Sequence, residues 1–278
     1  ALCDIDEAVV LKVLAGLQSA GHVSHYSGKD AWKTICEDSS VDLIYICTDW
    51  QSHAEIACYA MECGKHVAVE VPAVLSVEEA VRLVATAERT QRHCMMLENC
   101  IYDVFEDATY NMAKSGLFGQ IYHAEGGYIH NLPYLLEWRD RFNKVSRGDN
   151  YPTHGLGPVC RLLGINRDDS LYSIVSTGYP TAQGNHTVSL IRTEKGKSII
   201  LQHNIHAARP YSRLYQFNGD KGHASKYPAP CISLSSDHYL SAEEVAELTK
   251  KYEPEYASAV RAIMPDDYLY QYPEWNAI

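Results

Sequence analysis

Short runs of β-forming residues recur between helical patterns in the first 120 residues, and this alternation restricts the fold more than any other feature. Leu43–Cys47, His66–Val71 and His93–Leu97 read as strands, the first as a buried parallel one. Helical patterns fall at Glu7–Ala20, Asp30–Glu37, Ser52–Cys63 and Tyr102–Ser115, with a short extended piece at His22–Tyr26. Ser76 caps one further helix, and Glu78 and Glu79 stand in its first turn where the macrodipole favours anions. Strands alternating with helices of this length mean βαβ units, a parallel sheet and right-handed crossovers.

The pattern changes near residue 120. Gln120–His130 alternates as a long strand, Asn131–Asn150 is polar, irregular and aromatic, and Thr153–Leu163 reads as a helix. Leu171–Gly178, Thr187–Thr193, Ser198–Asn204 and Leu214–Phe217 read as antiparallel strands, with turns at Glu194–Lys197 and Asn218–Asp220. Ser241-Ala242-Glu243-Glu244 opens a helix to Lys251 with a capping box. The predicted fold class is therefore α/β followed by α+β. A Rossmann-like doubly wound parallel sheet spans 1–120, and a unit with an open, mostly antiparallel sheet spans 121–278.

Composition narrows the partners. Among 278 residues, 24 Lys and Arg face 35 Asp and Glu, a formal charge of −11. An acidic chain without a basic block is a poor nucleic-acid or anionic-membrane binder. No apolar run of ~18 residues suggests a membrane span. A small molecule or glycan is the expected partner. Nine cysteines form no CxxC pair and no zinc-spaced cluster, which predicts buried free thiols, no metal and a reducing surrounding. Tyr is common, at 20 against four Phe; these rings are mostly edge-of-core residues, but some would suit a wet cleft.

Ligands of doubly wound sheets sit beyond the carboxyl ends of strands. Four features fall at such ends: Asp4, Thr48–His53, Glu70-Val71-Pro72 and Glu98-Asn99. Singly each is weak, since an Asp before a helix is usually a cap and a pre-helical His is usually solvated. Recurring at one edge, they predict a nucleotide site, with Asp4 on the ribose hydroxyls. The Gly-rich phosphate turn that should precede Asp4 is not in the sequence, which opens in what reads as the end of a strand. A second constellation joins Tyr128-Ile129-His130, Trp138-Arg139, Asn150–Gly157 and Arg209–Arg213. His154, just inside a helix start, reads either as a structural cap or as an acid–base group. A Tyr serves as a base near neutrality only beside a positive charge, and NAD⁺ or Arg139 would supply one.

The half-and-half organisation resembles the Gfo/Idh/MocA oxidoreductase-like family. Within it, Trp50-Gln51-Ser52-His53, Met95–Cys100, Ala124–His130 and above all Asn150–Val159 look like glycoside hydrolase family 109. The resemblance runs over most of residues 1–265. It implies an NAD-dependent α-N-acetylgalactosaminidase working by oxidation, elimination, addition and reduction. It implies NAD contacts at Asp4, Trp50, His53, Glu70, Val71 and Asn99, and sugar contacts at Tyr128, Arg139, Tyr151 and Tyr211. His154 and Tyr128 are the implied acid–base groups.

Wider-family dehydrogenases carry Glu-Lys-Pro where this chain has Glu70-Val71-Pro72, and the missing Lys argues against a plain sugar dehydrogenase. Against the family pattern, the chain is expected to lack the N-terminal loop, a stretch between Gly178 and Thr187, and a Gly-rich segment after Tyr256, before family-like sequence resumes at Met264–Asp267. Two alternatives follow: a Gfo/Idh/MocA sugar oxidoreductase, or an inactive shortened remnant. A homo-oligomer formed through the open sheet is a further expectation. The compartment stays open: a twin-arginine leader upstream of Ala1 would mean periplasmic location or export, and a cytoplasmic location is equally compatible with the sequence.

Overall fold

Among the residues described by the computed structural model (1–17, 21–131, 137–145, 148–181, 184–206 and 208–263), the chain forms two compact units, Ala1–Leu97 and Glu98–Ile278. The Met264–Asp267 stretch lies outside the described residues.

The first unit runs β1 (Leu2–Asp4), α1 (Glu7–Gly16), β2 (His25–Ser27), α2 (Ala31–Glu37), β3 (Leu43–Ile46), α3 (His53–Glu62), β4 (His66–Val69), α4 (Val77–Thr90) and β5 (Cys94–Met96). Every strand pairing in it is parallel, as βαβ alternation requires, but the strands fall into a β1-β2 pair and a β3-β4-β5 sheet. The core sets Ile44, Ile46, Val67 and Val69 against Ile56, Ala57, Ala60 and Met61 of α3. Leu43 and Tyr45 are exposed, so β3 is not the strand buried on both faces that its apolar run predicts. The described core of this unit uses one face of that sheet, and side chains alternate across it. Ser76 accepts the Glu79 N–H and caps α4 as expected.

The second unit opens with a 3₁₀ turn (Cys100–Tyr102) and α5 (Val104–Lys114), then β6 (Ile121–Ile129), α6 (Glu137–Val145) and α7 (Thr153–Leu163). It continues with β7 (Leu171–Thr181), β8 (Gly184–Thr193), β9 (Ser198–Asn204), β10 (Tyr215–Gly219), β11 (His223–Ser225), β12 (Cys231–Ser233), α8 (Ala242–Tyr252) and α9 (Ala257–Ile263). Seven strands order as β12-β11-β10-β6-β9-β8-β7, antiparallel except for the parallel β6–β9 pair. Ser241 and Glu244 form the predicted capping box of α8. The segment read as irregular holds a helix, α6, whose Glu-Trp-Arg-Asp-Arg-Phe-Asn-Lys-Val composition masks its helical spacing.

The compact units divide after Leu97 rather than near 120, and the reason is where α5 buries its apolar face. Phe105, Ala108 and Met112 join Phe118, Val159, Ile199 and Phe217 in the core of the second unit. Asp103 opens that helix with Oδ1 accepting the Phe105 and Glu106 N–H groups, while its Oδ2 accepts Lys226 Nζ at 2.6 Å and Arg213 at 3.2 Å. Glu106 Oε1 accepts Lys226 at 3.0 Å and lies 3.4 Å from Arg213. Two carboxylates and two cations thus close a buried, formally neutral network.

α7 meets β6 through glycine. A Cβ on Gly126 would stand 2.2 Å from the Gly155 carbonyl oxygen, and one on Gly155 would stand 2.4 Å from the Gly127 nitrogen. Neither residue has a positive φ, so close approach and not backbone freedom selects glycine. Gly155→Ala should therefore cost about 1–3 kcal/mol in urea unfolding, whereas Gly16→Ala, with nothing within 4 Å, should be neutral or mildly stabilising. An unchanged midpoint for Gly155→Ala would refute the backbone contact. Lys226→Met leaves two buried carboxylates one cation short and should cost about 3–5 kcal/mol in the same assay.

Candidate active site

The second unit brings a ring of aromatic and titratable side chains together around Tyr128. Tyr128 lies near the end of β6 and His130 directly follows the strand, and the Tyr128 hydroxyl lies 3.1 Å from His130 Nδ1. His203 of β9 is the register partner of Tyr128 in the parallel pair, and their rings stack at 6.3 Å and 19°. An isolated bridge between Ile129 and Ser212 carries Tyr211 to within 4.7 Å of the His130 ring and 6.4 Å of Tyr128. Tyr151 and His154 arrive from the start of α7, with ring centroids 5.3 and 5.4 Å from Tyr128. Arg139 of α6 hydrogen bonds the Tyr128 side chain and stands 4.9 Å over the Tyr151 ring. Burial pushes the Tyr128 hydroxyl above the usual tyrosine range, and the opposing pull of Arg139 does not overcome it. Burial likewise raises Tyr151 and Tyr211.

His154 is not a cap. The helix N-cap is Pro152, with no side-chain capping bond, and His154 Nδ1 lies 2.9 Å from both oxygens of Glu98. Glu98 is 7% exposed and its Oε1 also accepts the Cys100 N–H at 2.8 Å. Burial alone would raise this carboxyl; the hydrogen bond and charge of His154, with help from Cys100, hold it below the ordinary glutamate range. With Nδ1 committed to Glu98, Nε2 is the nitrogen left for proton transfer. A Cβ on Gly157 would stand 3.2 Å from Glu98 Cγ, so the second glycine of the His154-Gly155-Leu156-Gly157 stretch makes room for the carboxylate.

A second titratable pair adjoins the ring. Asp149 accepts the Tyr151 N–H at 2.9 Å, and its Oδ1 lies 3.8 Å from His203 Nδ1, a separation too long for a hydrogen bond. Burial pushes the Asp149 carboxyl up to about 6. Burial, aided by the Arg139 charge, pushes His203 down to about 4.

Of the residues expected to act on the sugar, Tyr128, Arg139, Tyr151, Tyr211 and His154 are thus assembled in one place. Arg209 is exposed, while Arg213 is buried in the charge network. Asn99 opens the 3₁₀ turn, its Oδ1 3.7 Å from the Cys100 thiol. In the first unit, Asp4 ends β1 with Oδ1 accepting the Asp6 N–H, and Glu70 follows β4 with Oε1 accepting the Tyr45 hydroxyl. Trp50 and Val71 are buried. His53 is fully buried, with Nδ1 2.8 Å from the Pro72 carbonyl and Nε2 3.0 Å from that of Thr48, so its ring ties two strand-end loops together.

Three participants were not legible as such. Glu98 is visible at a strand end, but nothing in the sequence pairs it with a histidine 56 residues away. His203 and Asp149 carry no motif; register alone brings the first under Tyr128. The nine cysteines are all free, as expected, but only Cys36 and Cys100 are buried, and Cys47 is exposed. Among the described residues no helix is long and apolar enough to cross a membrane.

Asp149 and His203 give opposite pH signatures. A carboxyl raised to about 6 stabilises the fold while protonated, and that contribution is lost as pH rises from about 4 through 6. A histidine lowered to about 4 favours the folded state while neutral, and that contribution is lost as pH falls from 6.5 through 4. Asp149→Asn should therefore gain stability relative to the parent, by about 1–3 kcal/mol, as pH rises across this window. His203→Gln should gain as pH falls. Urea unfolding at pH 4.5 and 7 reads both, and parallel pH dependence in parent and variants would show the pair to be ordinarily solvated.

Residues 1–98 match the family model described as "Oxidoreductase family, NAD-binding Rossmann fold", and residues 134–187 match "Glycosyl hydrolase 109, C-terminal domain". A glycosyl hydrolase family 109 protein of Porphyromonas gingivalis is 49% identical over 84% of this chain and 56% of its own length. An alpha-N-acetylgalactosaminidase of Bacteroides fragilis is 43% identical over 91% of this chain and 68% of its own. The chain spans about half the length of the first of these and of several similar relatives. Among solved structures, a levoglucosan dehydrogenase in complex with NADH and L-sorbose superposes with a TM-score of 0.71 at 17% identity, covering 85% of this chain and 67% of that one. An oxidoreductase domain protein of Kribbella flavida gives 0.71 at 21% identity, covering 92% and 73%. At these identities the structures speak for the fold, a Rossmann-like unit followed by a mostly antiparallel sheet, and the close relatives speak for the family: the chain belongs to glycosyl hydrolase family 109.

Proposed function

We propose that the protein is an NAD-dependent glycosidase acting on terminal α-N-acetylgalactosamine. The observation that carries this reading is the Glu98–His154 pair set beside the buried Tyr128 hydroxyl. The B. fragilis relative named alpha-N-acetylgalactosaminidase supports the substrate, and the Rossmann description of residues 1–98 supports the cofactor.

The residues of the first unit fit a dinucleotide. Asp4 Oδ1 accepts the Asp6 N–H, and among the described residues no hydrogen bond engages Oδ2, which would accept ribose hydroxyls; Glu70 stands just past the end of β4 as Asp4 stands at the end of β1. His53 would contribute through the loops it fixes rather than through its ring, with Trp50, Val71 and Asn99 completing the expected contacts. Bound NAD⁺ would supply hydride abstraction at sugar C3 and its return, which acidifies the C2 proton in between.

The chain's own groups then divide the proton work. His154, its Nδ1–H held by Glu98, presents Nε2 as the base for the C2 proton. Tyr128, kept protonated by burial, donates to the departing aglycone oxygen, and Arg139 holds its hydroxyl in place. C1 and C2 are bonded neighbours, so an acid and a base on rings 5.4 Å apart suit an elimination across that bond. Tyr151 and Tyr211 offer flat faces and hydroxyls to the sugar.

The test is incubation with NAD⁺ and an aryl α-N-acetylgalactosaminide in D₂O. Aglycone release with deuterium at C2 is expected, without accumulation of NADH. Tyr128→Phe and His154→Asn should each lower kcat about 100-fold or more. Glu98→Gln, which replaces the carboxylate that holds His154 Nδ1, should lower it about 10- to 1,000-fold. Release without C2 exchange sinks the redox route. Stoichiometric NADH with a free sugar replaces it by a sugar oxidoreductase.

A further inference from the structure

The carboxylate that orients His154 has a thiol beside it. Glu98, Cys100 and His154 each bring one donor atom, all within 4.8 Å of one another, and Nδ1 is the His154 nitrogen that lies beside the carboxylate. Local geometry fixes two of them: the Cys100 N–H donates to Glu98 Oε1 at 2.8 Å, curling the carboxylate back over the residue that carries the sulfur. The third comes from the first turn of α7, whose position is set by the glycine contact with β6. Glu98 and Cys100 are buried and His154 is half-buried, so the cluster is held in place by its surroundings and not by chance surface proximity.

One imidazole nitrogen, one sulfur and one carboxylate is a donor set for zinc-class ions, with a fourth position for water. Magnesium and calcium ask for six or more oxygens and would not be held. The nearby charges do not forbid a cation. Arg213 faces the Cys100 sulfur and Lys226 lies beside it, but Asp103 and Glu106 neutralise both.

We propose that Glu98, Cys100 and His154 form a reversible binding site for a zinc-class divalent ion, and that its occupancy switches off proton transfer by His154. The proton count gives the reason. On binding, the Cys100 thiol loses its proton to solvent, and the imidazole proton moves from Nδ1 to Nε2. One proton leaves per ion and no electron moves. The Nε2 lone pair, which serves as the base in the reading above, is then occupied by hydrogen. The inhibitory part rests on that reading; the binding part does not.

Cobalt(II) is the probe. Titration of the protein should give a near-ultraviolet thiolate-to-cobalt charge-transfer band that saturates at one equivalent and is displaced by zinc. Cys100→Ala and His154→Gln should each weaken binding by roughly 100-fold or more. Cys47→Ala, at the exposed thiol, should bind like the parent. Circular dichroism checks the fold of each variant, and the two ligand substitutions report independently if one fails to fold. In the aglycone assay, zinc should inhibit the parent reversibly, with chelator restoring activity, and should not inhibit Cys100→Ala. No band in the parent, or an unchanged band in a folded Cys100→Ala, overturns the site. A band with these properties in a protein that releases no aglycone keeps the site and removes the glycosidase reading instead.

Discussion

The close approach of α7 to β6 is the constraint on which the rest of the candidate site depends. Gly126 on the strand and Gly155 on the helix let two backbones meet where a Cβ on either would collide with main-chain atoms. That contact sets the distance from His154 and Tyr151 to Tyr128, because Tyr128 follows Gly127, His154 precedes Gly155 and Tyr151 lies four residues before Gly155. Gly157, two residues on, clears the space that Glu98 occupies. Small residues here act as spacers for large functional ones, so a methyl group added at the contact would displace the ring geometry as well as strain the core.

Residues 98–106 organise charge on both sides of that contact. Glu98 takes the imidazole, while Asp103 and Glu106, a few residues later, take Arg213 and Lys226. Burying two carboxylates and two cations together is tolerable because each has a partner of opposite sign, whereas removal of any one strands a charge in a poor solvent. Arg213 also links this network to the tyrosine ring, since it directly follows Ser212, whose bridge to Ile129 seats Tyr211. The polar layer beneath the site is therefore part of the fold's framework, and mutations in it should act on stability before chemistry.

Periodicity made much of this visible. The helix over Thr153–Leu163 and the strand over Ser198–Asn204 have the limits their spacing predicts, and the capping box at Ser241 and Glu244 forms as read. Local signals of this kind survive because caps and alternation depend on near neighbours. The division after Leu97 is not legible locally, because α5 looks like one more βαβ helix; only its packing partners reveal that Phe105 and Met112 belong to the core of the later sheet. The α6 helix was hidden by its polar composition, and the exposure of Leu43 and Tyr45 could not be read from an apolar run.

By itself the sequence determined the kinds of most elements, α6 excepted, the parallel-then-antiparallel succession, and five side chains of the candidate site: Tyr128, Arg139, Tyr151, His154 and Tyr211. Their residue types and the glycines among them are local properties, written in consecutive positions. Tertiary structure alone decided that His154 is held by a carboxylate and does not cap its helix, that Glu98 is its partner, and that His203 stacks beneath Tyr128. Those facts depend on strand register and on how closely a helix can approach a sheet, and both are set by packing between segments tens of residues apart.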